Sequence, residues 1–212
     1  MNQLSCDESP MKEQLKQQLS EITNALQHSL SLIDDDNHCL LSDFEEIRES
    51  FKQAESVAAS FYLRCYLSAF SIDYTAISLT IQHLSTRRHG ALIMIQRKEP
   101  LHTFIHSGIA IGAQLSHSLL ESIFYPGNPL HDGAVLIIEN QIVSAANVLP
   151  VSTVSVDGKK LGTRHRAAIG LSEQTDALVI VISEESGQSS FAYKGSLYPV
   201  SFSIAKGLLT NS

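Results

Sequence analysis

The sequence predicts a mixed α/β fold, a central β-sheet flanked by helices and preceded by an N-terminal α-helical hairpin. Three observations carry this. Apolar residues recur at helical spacing from Met11 to Phe61. Beyond Tyr74, short apolar runs bounded by glycine, proline and polar residues are interspersed with helical stretches. These runs do not follow the strict strand–helix–strand alternation of a wholly parallel array, so the sheet is expected to be mixed.

In the first segment, Leu15, Leu19, Ile22, Leu26, Leu30 and Ile33 trace one face of a helix. Asp34, Asp35, Asp36 and Asn37 then interrupt it with residues that favour turns. They lack the glycine and the distal glutamate of a calcium-binding EF-hand loop. Ser42 and Glu45 have capping-box spacing, which predicts a second helix presenting Phe44, Ile47, Phe51, Val57 and Phe61. The hairpin defines a first domain over residues 1–70, either a packing and oligomerisation arm or a regulatory one. Residues 71–212 form the second.

There, Ala76–Leu84 is expected to be helical and Ala91–Ile95 to be a buried strand after Gly90. Ser116–Phe124 reads as a helix stopped by Tyr125, Pro126 and Gly127. Ala134–Ile138 and Ile142–Ala146 flank a polar turn and predict a hairpin. Arg164–Glu173 is expected to be helical, Leu178–Ile182 a central strand and Ser189–Tyr193 another.

Composition narrows the function. The chain has 212 residues, 43% of them hydrophobic and 17% charged, which suits one globular domain with an extension. Residues 1–70 hold 12 acidic and 5 basic side chains and so carry the whole net charge of −7. With no basic stripe elsewhere, nucleic acid is not an expected partner. No apolar run approaches the roughly 18–20 residues of a membrane helix, and polar residues follow Met1, so neither a membrane span nor a secretory signal is expected. Cys6, Cys39 and Cys65 fit neither a disulfide framework nor a zinc site, which points to a reducing, cytoplasmic setting.

Two clusters interrupt otherwise apolar stretches. His131-Asp132-Gly133-Ala134 sets a carboxylate beside a glycine that permits close approach. Gly162-Thr163-Arg164-His165-Arg166 sets two guanidinium groups and an imidazole at a helix start, where free N–H groups and arginine forks receive phosphate oxygens. A third cluster, Ser183-Glu184-Glu185-Ser186-Gly187, follows a predicted strand. Taken singly, these are also the signatures of an Asp-Gly turn and of solvated charges. Together they point to a phosphate-binding pocket.

In order and spacing, Pro129–Ala134, Leu149-Pro150, Leu161–Ala168, Ser172–Ala177 and Ser183–Gly187 resemble the diadenylate cyclase domain, over roughly residues 75–200. Gly90–Ile93 and Ser107-Gly108-Ile109 are similar to that family's early strand and glycine segment. The N-terminal hairpin resembles the family's soluble, sporulation-associated branch. The resemblance implies condensation of two ATP into cyclic di-AMP, with release of two pyrophosphates, where two protomers meet face to face. It further implies a homodimer or higher homo-oligomer, with activity restrained by the N-terminal helices. Asp132, Gly133 and Ala134 would form the catalytic segment, the latter two leaving room for ribose and phosphate. Thr163, Arg164, His165 and Arg166 would receive the triphosphate. Leu149 is either a base contact or core packing, and Glu173 a salt-bridge partner of an arginine. Asp132, His131 and Glu185 would hold Mn²⁺ or Mg²⁺. A non-catalytic adenine-nucleotide sensor is the alternative.

Overall fold

The computed structural model describes residues 9–35, 37–153 and 161–200. The chain divides into two compact units, Met1–Cys65 and Tyr66–Ser212.

The first unit is the expected hairpin, built from α1 (Ser9–Ser31) and α2 (Leu40–Ser68), whose last residues enter the second unit. A carboxylate closes the turn. Asp43 Oδ2 accepts from Ser29 Oγ at 2.8 Å and lies 2.9 Å from His38 Nε2. The hydrogen bonds from His38 and then Ser29 hold the Asp43 carboxyl below its usual range. The capping box does not form. Helix α2 begins ahead of Ser42, at Leu40, and the Ser42 hydroxyl donates to the Cys39 carbonyl at 2.7 Å. The apolar stripe of α1 is only partly covered, because Ile22 is buried whereas Leu19, Leu26, Leu30 and Ile33 are exposed. Against the expectation of unpaired thiols, Cys65 is buried and disulfide-bonded. Cys39 is an exposed free thiol, and Cys6 lies outside the described residues.

The second unit opens with α3 (Tyr74–Arg87), capped by the Asp73 carboxylate, which accepts from the Ala76 amide. Arg88 in the left-handed region ends it and turns the chain into β1 (Ala91–Ile95). Then come β2 (Ile109–Gln114), α4 (His117–Ile123), β3 (Ala134–Ile138), β4 (Gln141–Asn147), α5 (Thr163–Gln174), β5 (Leu178–Ile182), β6 (Ser189–Tyr193) and β7 (Ser196–Val200). The seven strands are ordered β2-β4-β3-β1-β5-β6-β7. Only β1 and β3 run parallel, and every other neighbouring pair is antiparallel. The sheet is mixed, as the element order predicted. The outer strands β2 and β7 were not expected. Edge strands bury too little to need an apolar run, and each carries a residue that weakens a strand pattern, Gly112 in β2 and Pro199 in β7.

Strands β1 and β5 are buried throughout, which accounts for their unbroken runs of apolar residues. On one face, Leu92, Met94, Val179 and Val181 pack with Ala167, Ala168 and Leu171 of α5. Small residues let that helix approach closely. A Cβ added at Gly170 would lie 2.5 Å from the Pro150 carbonyl oxygen. At the other end of the sheet, the Arg97 guanidinium sits 5.0 Å from the Tyr66 ring centroid, 4.8 Å from that of Phe70 and 5.3 Å from that of Tyr193. These contacts tie the end of α2 to β1 and β6.

Ile93 is fully buried in β1, so Ile93→Ala is expected to cost about 2–5 kcal/mol of unfolding free energy. Ile109→Ala, half exposed on the edge strand β2, should cost under about 1 kcal/mol. Urea unfolding midpoints of the two variants check the difference.

Candidate active site

Strand register brings the predicted site residues to one end of the sheet. Ala91 at the start of β1 pairs with Ile182 at the end of β5, so Gly90 lies beside Ser183–Gly187. Parallel pairing of Ile93 with Val135 brings the start of β3 to the same end. There Asp132 and Gly133 lead in. Ala134 pairs with Asn147, so the end of β4 and the Leu149 that follows arrive there too. The N-terminus of α5 joins them through Arg164, whose Nη1 donates to Glu184 Oε2 at 2.7 Å. The same guanidinium covers Gly90, where a Cβ would lie 2.5 Å from Nη1. A site at the amino ends of the parallel pair departs from the usual rule for parallel sheets, which puts ligands at the carboxyl ends.

Asp132 is exposed and has no hydrogen bond or ion pair among the described residues. Its placement is nevertheless tightly held. Gly133 has φ +103°, and a Cβ there would lie 2.8 Å from both Ala146 C and Asn147 O. One residue on, the buried Asn147 amide donates through Nδ2 to the Ala134 carbonyl at 2.7 Å, while its Oδ1 accepts from Ser144 Oγ at 3.0 Å. On the other side, the His131 imidazole contacts the Asn128 carbonyl through Nδ1. Nδ1 therefore carries a proton and Nε2 is left as an unprotonated donor atom when the ring is neutral.

Helix α5 starts at Gly162 with no side-chain cap, and the Arg166 amide makes the first helical bond, to Gly162 O. The amides of Thr163, Arg164 and His165 are thus free of intrahelical partners, an arrangement suited to anions. The two arginines differ. Arg164 is mostly covered and committed to Glu184, whereas Arg166 is exposed, with Nε donating to the Ser152 carbonyl at 3.0 Å. Burial holds the half-buried His165 imidazole below its ordinary range, and the Glu185 carboxylate nearby only partly offsets this.

Two of the remaining expectations meet different surroundings. Leu149 is buried in the core cluster with Leu171 and Val179, which places its side chain on the packing side of the alternatives. Glu173 accepts from Ser152 Oγ at 2.9 Å, rather than closing an arginine salt bridge. His131, Asp132 and Glu185 are not drawn together within one protomer. Among the described residues the only set of three or more converging His, Cys, Asp or Glu donors lies elsewhere, at His83, His117 and Glu121. Sequence reasoning missed Asn147 and Glu184. A polar residue within Ala145-Ala146-Asn147-Val148-Leu149 was the available signal for the first. The second was seen only as part of an acidic cluster.

This arrangement defines an α/β domain with a candidate anion site at one end of its sheet. The chain belongs to the diadenylate cyclase family. The family model described as "DisA bacterial checkpoint controller nucleotide-binding" matches residues 78–197, and that described as "Diadenylate cyclase CdaS, N-terminal" matches residues 2–70. The chain is 47% identical to the diadenylate cyclase CdaS of Bacillus thuringiensis, over 90% of this chain and 97% of that one. It is 46% identical to the cyclic di-AMP synthase CdaS of Bacillus subtilis, over 91% and 93% respectively. Among solved structures, a Bacillus cereus protein titled a hypothetical membrane spanning protein superposes with a TM-score of 0.75 at 47% identity, covering 92% of this chain and 95% of that one. DacA from Staphylococcus aureus gives 0.57 at 42% identity, covering 59% of this chain and 83% of that one. No described helix of the present chain is long and apolar enough to cross a membrane.

Gly133→Ala should destabilise the fold by more than about 2 kcal/mol, since it meets both a positive φ and backbone contacts that cannot move aside. Chemical denaturation measures the loss. For His165, the folded state binds its proton less readily than the unfolded chain does. The stability this contributes is full above about pH 6.5 and is lost as pH falls. His165→Gln should flatten that fall between pH values of about 7.5 and 5.5, as read from urea midpoints.

Proposed function

We propose that the chain condenses two ATP molecules into cyclic di-AMP with release of two pyrophosphates. Its similarity to named diadenylate cyclases over nearly its full length supports the reaction. The observation that carries the assignment to this site is the convergence of Asp132 with the uncapped start of α5 at one sheet end, the carboxylate facing outward. An outward carboxylate suits a reaction in which each ATP must meet another ATP held by a second protomer. Two-fold pairing also matches a symmetric product.

In each half of the reaction, the 3′-oxygen of one ATP bonds to the α-phosphorus of the other, and the bond from that phosphorus to the pyrophosphate oxygen breaks. Asp132 is the group placed to orient the 3′-hydroxyl and take its proton. The free amides of Thr163, Arg164 and His165, with the Arg164 and Arg166 guanidiniums, receive the triphosphate and the charge building on the leaving pyrophosphate. Arg164 must then exchange part of its bond to Glu184 for phosphate oxygens. The room expected from Gly133 and Ala134 is not beside the nucleotide: a Cβ at Gly133 would meet the Ala146 and Asn147 backbone and Ala134 is buried in the core, so both act by fixing the backbone next to Asp132.

Diadenylate cyclases are nucleotidyl cyclases that work with a divalent metal ion. The residues fit such an ion: His131 offers Nε2, and Asp132 and Glu185 are exposed carboxylates. Because these three do not converge within one protomer, they would hold Mn²⁺ or Mg²⁺ only where two protomers face each other and triphosphate oxygens complete the set. The bound ion would lower the pKa of the attacking hydroxyl and neutralise phosphate charge.

The first unit supports assembly. Leu19, Leu26 and Leu30 on α1, Ile33 in the turn after it, and Leu41, Phe44 and Phe51 on α2 are exposed. Another copy of the chain, in the cytoplasm, is the proposed occupant of these stripes, giving a higher homo-oligomer whose packing restrains turnover.

Asp132→Asn is expected to lower cyclic di-AMP formation by at least about a hundredfold while ATP affinity stays within a few-fold, as read by chromatography with mass detection and by calorimetry. Wild-type binding of ATP without product would instead establish a nucleotide sensor. Leu26→Glu with Leu30→Glu should reduce the assembly mass in light scattering and raise turnover per protomer. Unchanged mass and rate would remove the stripe from regulation.

A further inference from the structure

A second group of donor side chains lies between α3 and α4, apart from the sheet-end site. His117 and Glu121 stand one turn apart on α4, and His83 faces them from α3. His83 Nδ1 lies 2.7 Å and His117 Nδ1 3.0 Å from the same oxygen, Glu121 Oε1. The two imidazole rings are perpendicular, at 89°, with centroids 5.8 Å apart. Arg87 Nη1 donates at 2.8 Å to the other oxygen, Oε2, and so fixes the carboxylate while leaving Oε1 directed between the rings. The Glu121 side chain is only 15% exposed. Burial would push its carboxyl up, but the bonds from His83 and His117 and the Arg87 charge outweigh this and keep it low and anionic.

We propose that His83, His117 and Glu121 form a binding site for a transition-metal dication of the Zn²⁺ class. Zn²⁺ takes imidazole nitrogen and carboxylate oxygen at about 2.0–2.2 Å, which sets tetrahedral ligand atoms about 3.3–3.5 Å apart. The two nitrogen–oxygen spacings, 2.7 and 3.0 Å, are shorter than this and all three donor atoms lie within 4.8 Å of one another, so side-chain rotation that opens the two hydrogen bonds admits the ion once both Nδ1 protons leave. Arg87 then supports the ligating carboxylate from behind, as outer partners of metal ligands do. The cluster borders an open cleft of about 800 Å³ shared with Ser118, Tyr125 and Asn128, which leaves room for water in the fourth position. Two imidazoles and one carboxylate select Zn²⁺, Co²⁺ or Ni²⁺ over Mg²⁺, so the preference differs from that of the oxygen-rich nucleotide site. A bound ion would cross-link α3 to α4 just ahead of the segment whose Asn128 carbonyl holds His131.

The test uses full-length chain stripped of metal, with Zn²⁺ competed against a chromophoric chelator and Co²⁺ followed by its visible absorption. His83→Gln and His117→Gln alter half-exposed side chains, and circular dichroism checks that each variant folds. The wild type should take up one Zn²⁺ per protomer, develop the intense absorption of tetrahedral Co²⁺, and melt at a higher temperature with Zn²⁺ present. Either glutamine variant should weaken uptake by at least about tenfold and lose the Co²⁺ band, while Asp132→Asn should retain both. Failure of the wild type to bind, wild-type binding in both glutamine variants, or loss of binding in Asp132→Asn would overturn the proposal.

Discussion

The buried amide of Asn147 does at the centre of the site what no exposed residue could do. It donates to the Ala134 carbonyl and accepts from Ser144, while Gly133 lies so close to the Asn147 and Ala146 backbone that no side chain fits between them. An unsatisfied amide at this depth would cost about 1–3 kcal/mol, so the pairing is specified and not merely tolerated. It also constrains Gly108, where a Cβ would lie within 2.0 Å of Asn147 Oδ1. The start of β3, the end of β4 and the entry to β2 are locked as one piece, and the backbone at Gly133 leaves the Asp132 carboxylate outside it. In the proposed reaction, the position of Asp132 thus rests on the rigidity of residues behind it.

A second lock holds the opposite wall. Gly170 lets α5 ride on the Pro150 and Ser152 backbone, and Arg164 bridges from α5 over Gly90 to Glu184. The ion pair is partly exposed and contributes little to stability. Its consequence is chemical. In the proposed reaction it would keep a guanidinium in place before any triphosphate arrives, on a partner that phosphate oxygens can displace.

Central elements were legible in the sequence because their signals are strong. The all-apolar runs of β1 and β5 have no other home than the middle of a sheet, and the helix expected from Ser116 and the strand expected after Gly90 both form. The clusters around Asp132 and Arg164 were visible as polar interruptions, although their meeting depends on strand order, which local pattern does not encode. What escaped was set by tertiary context. Strands β2 and β7 lie at the edges, with Gly112 and Pro199 inside them. The cap expected at Ser42 gave way to Asp43 bridging Ser29 and His38 across the turn. The α1 stripe was read correctly as a helical face but is mostly exposed within one chain. The resemblance implied a metal set of His131, Asp132 and Glu185, whereas the donors that converge among the described residues are His83, His117 and Glu121.

In the proposed reaction, an outward carboxylate and an outward anion site supply half of a reaction centre. The measurement that bears most directly on this is the rate of cyclic di-AMP formation by mixed assemblies, made by co-producing the wild-type chain and Asp132→Asn in equal amounts. If every product needs a competent Asp132 from each of two facing protomers, random pairing leaves about a quarter of the wild-type rate, and a linear dinucleotide accumulates. A rate of about one half, with no linear dinucleotide, would mean that each protomer acts alone and would contradict the shared site.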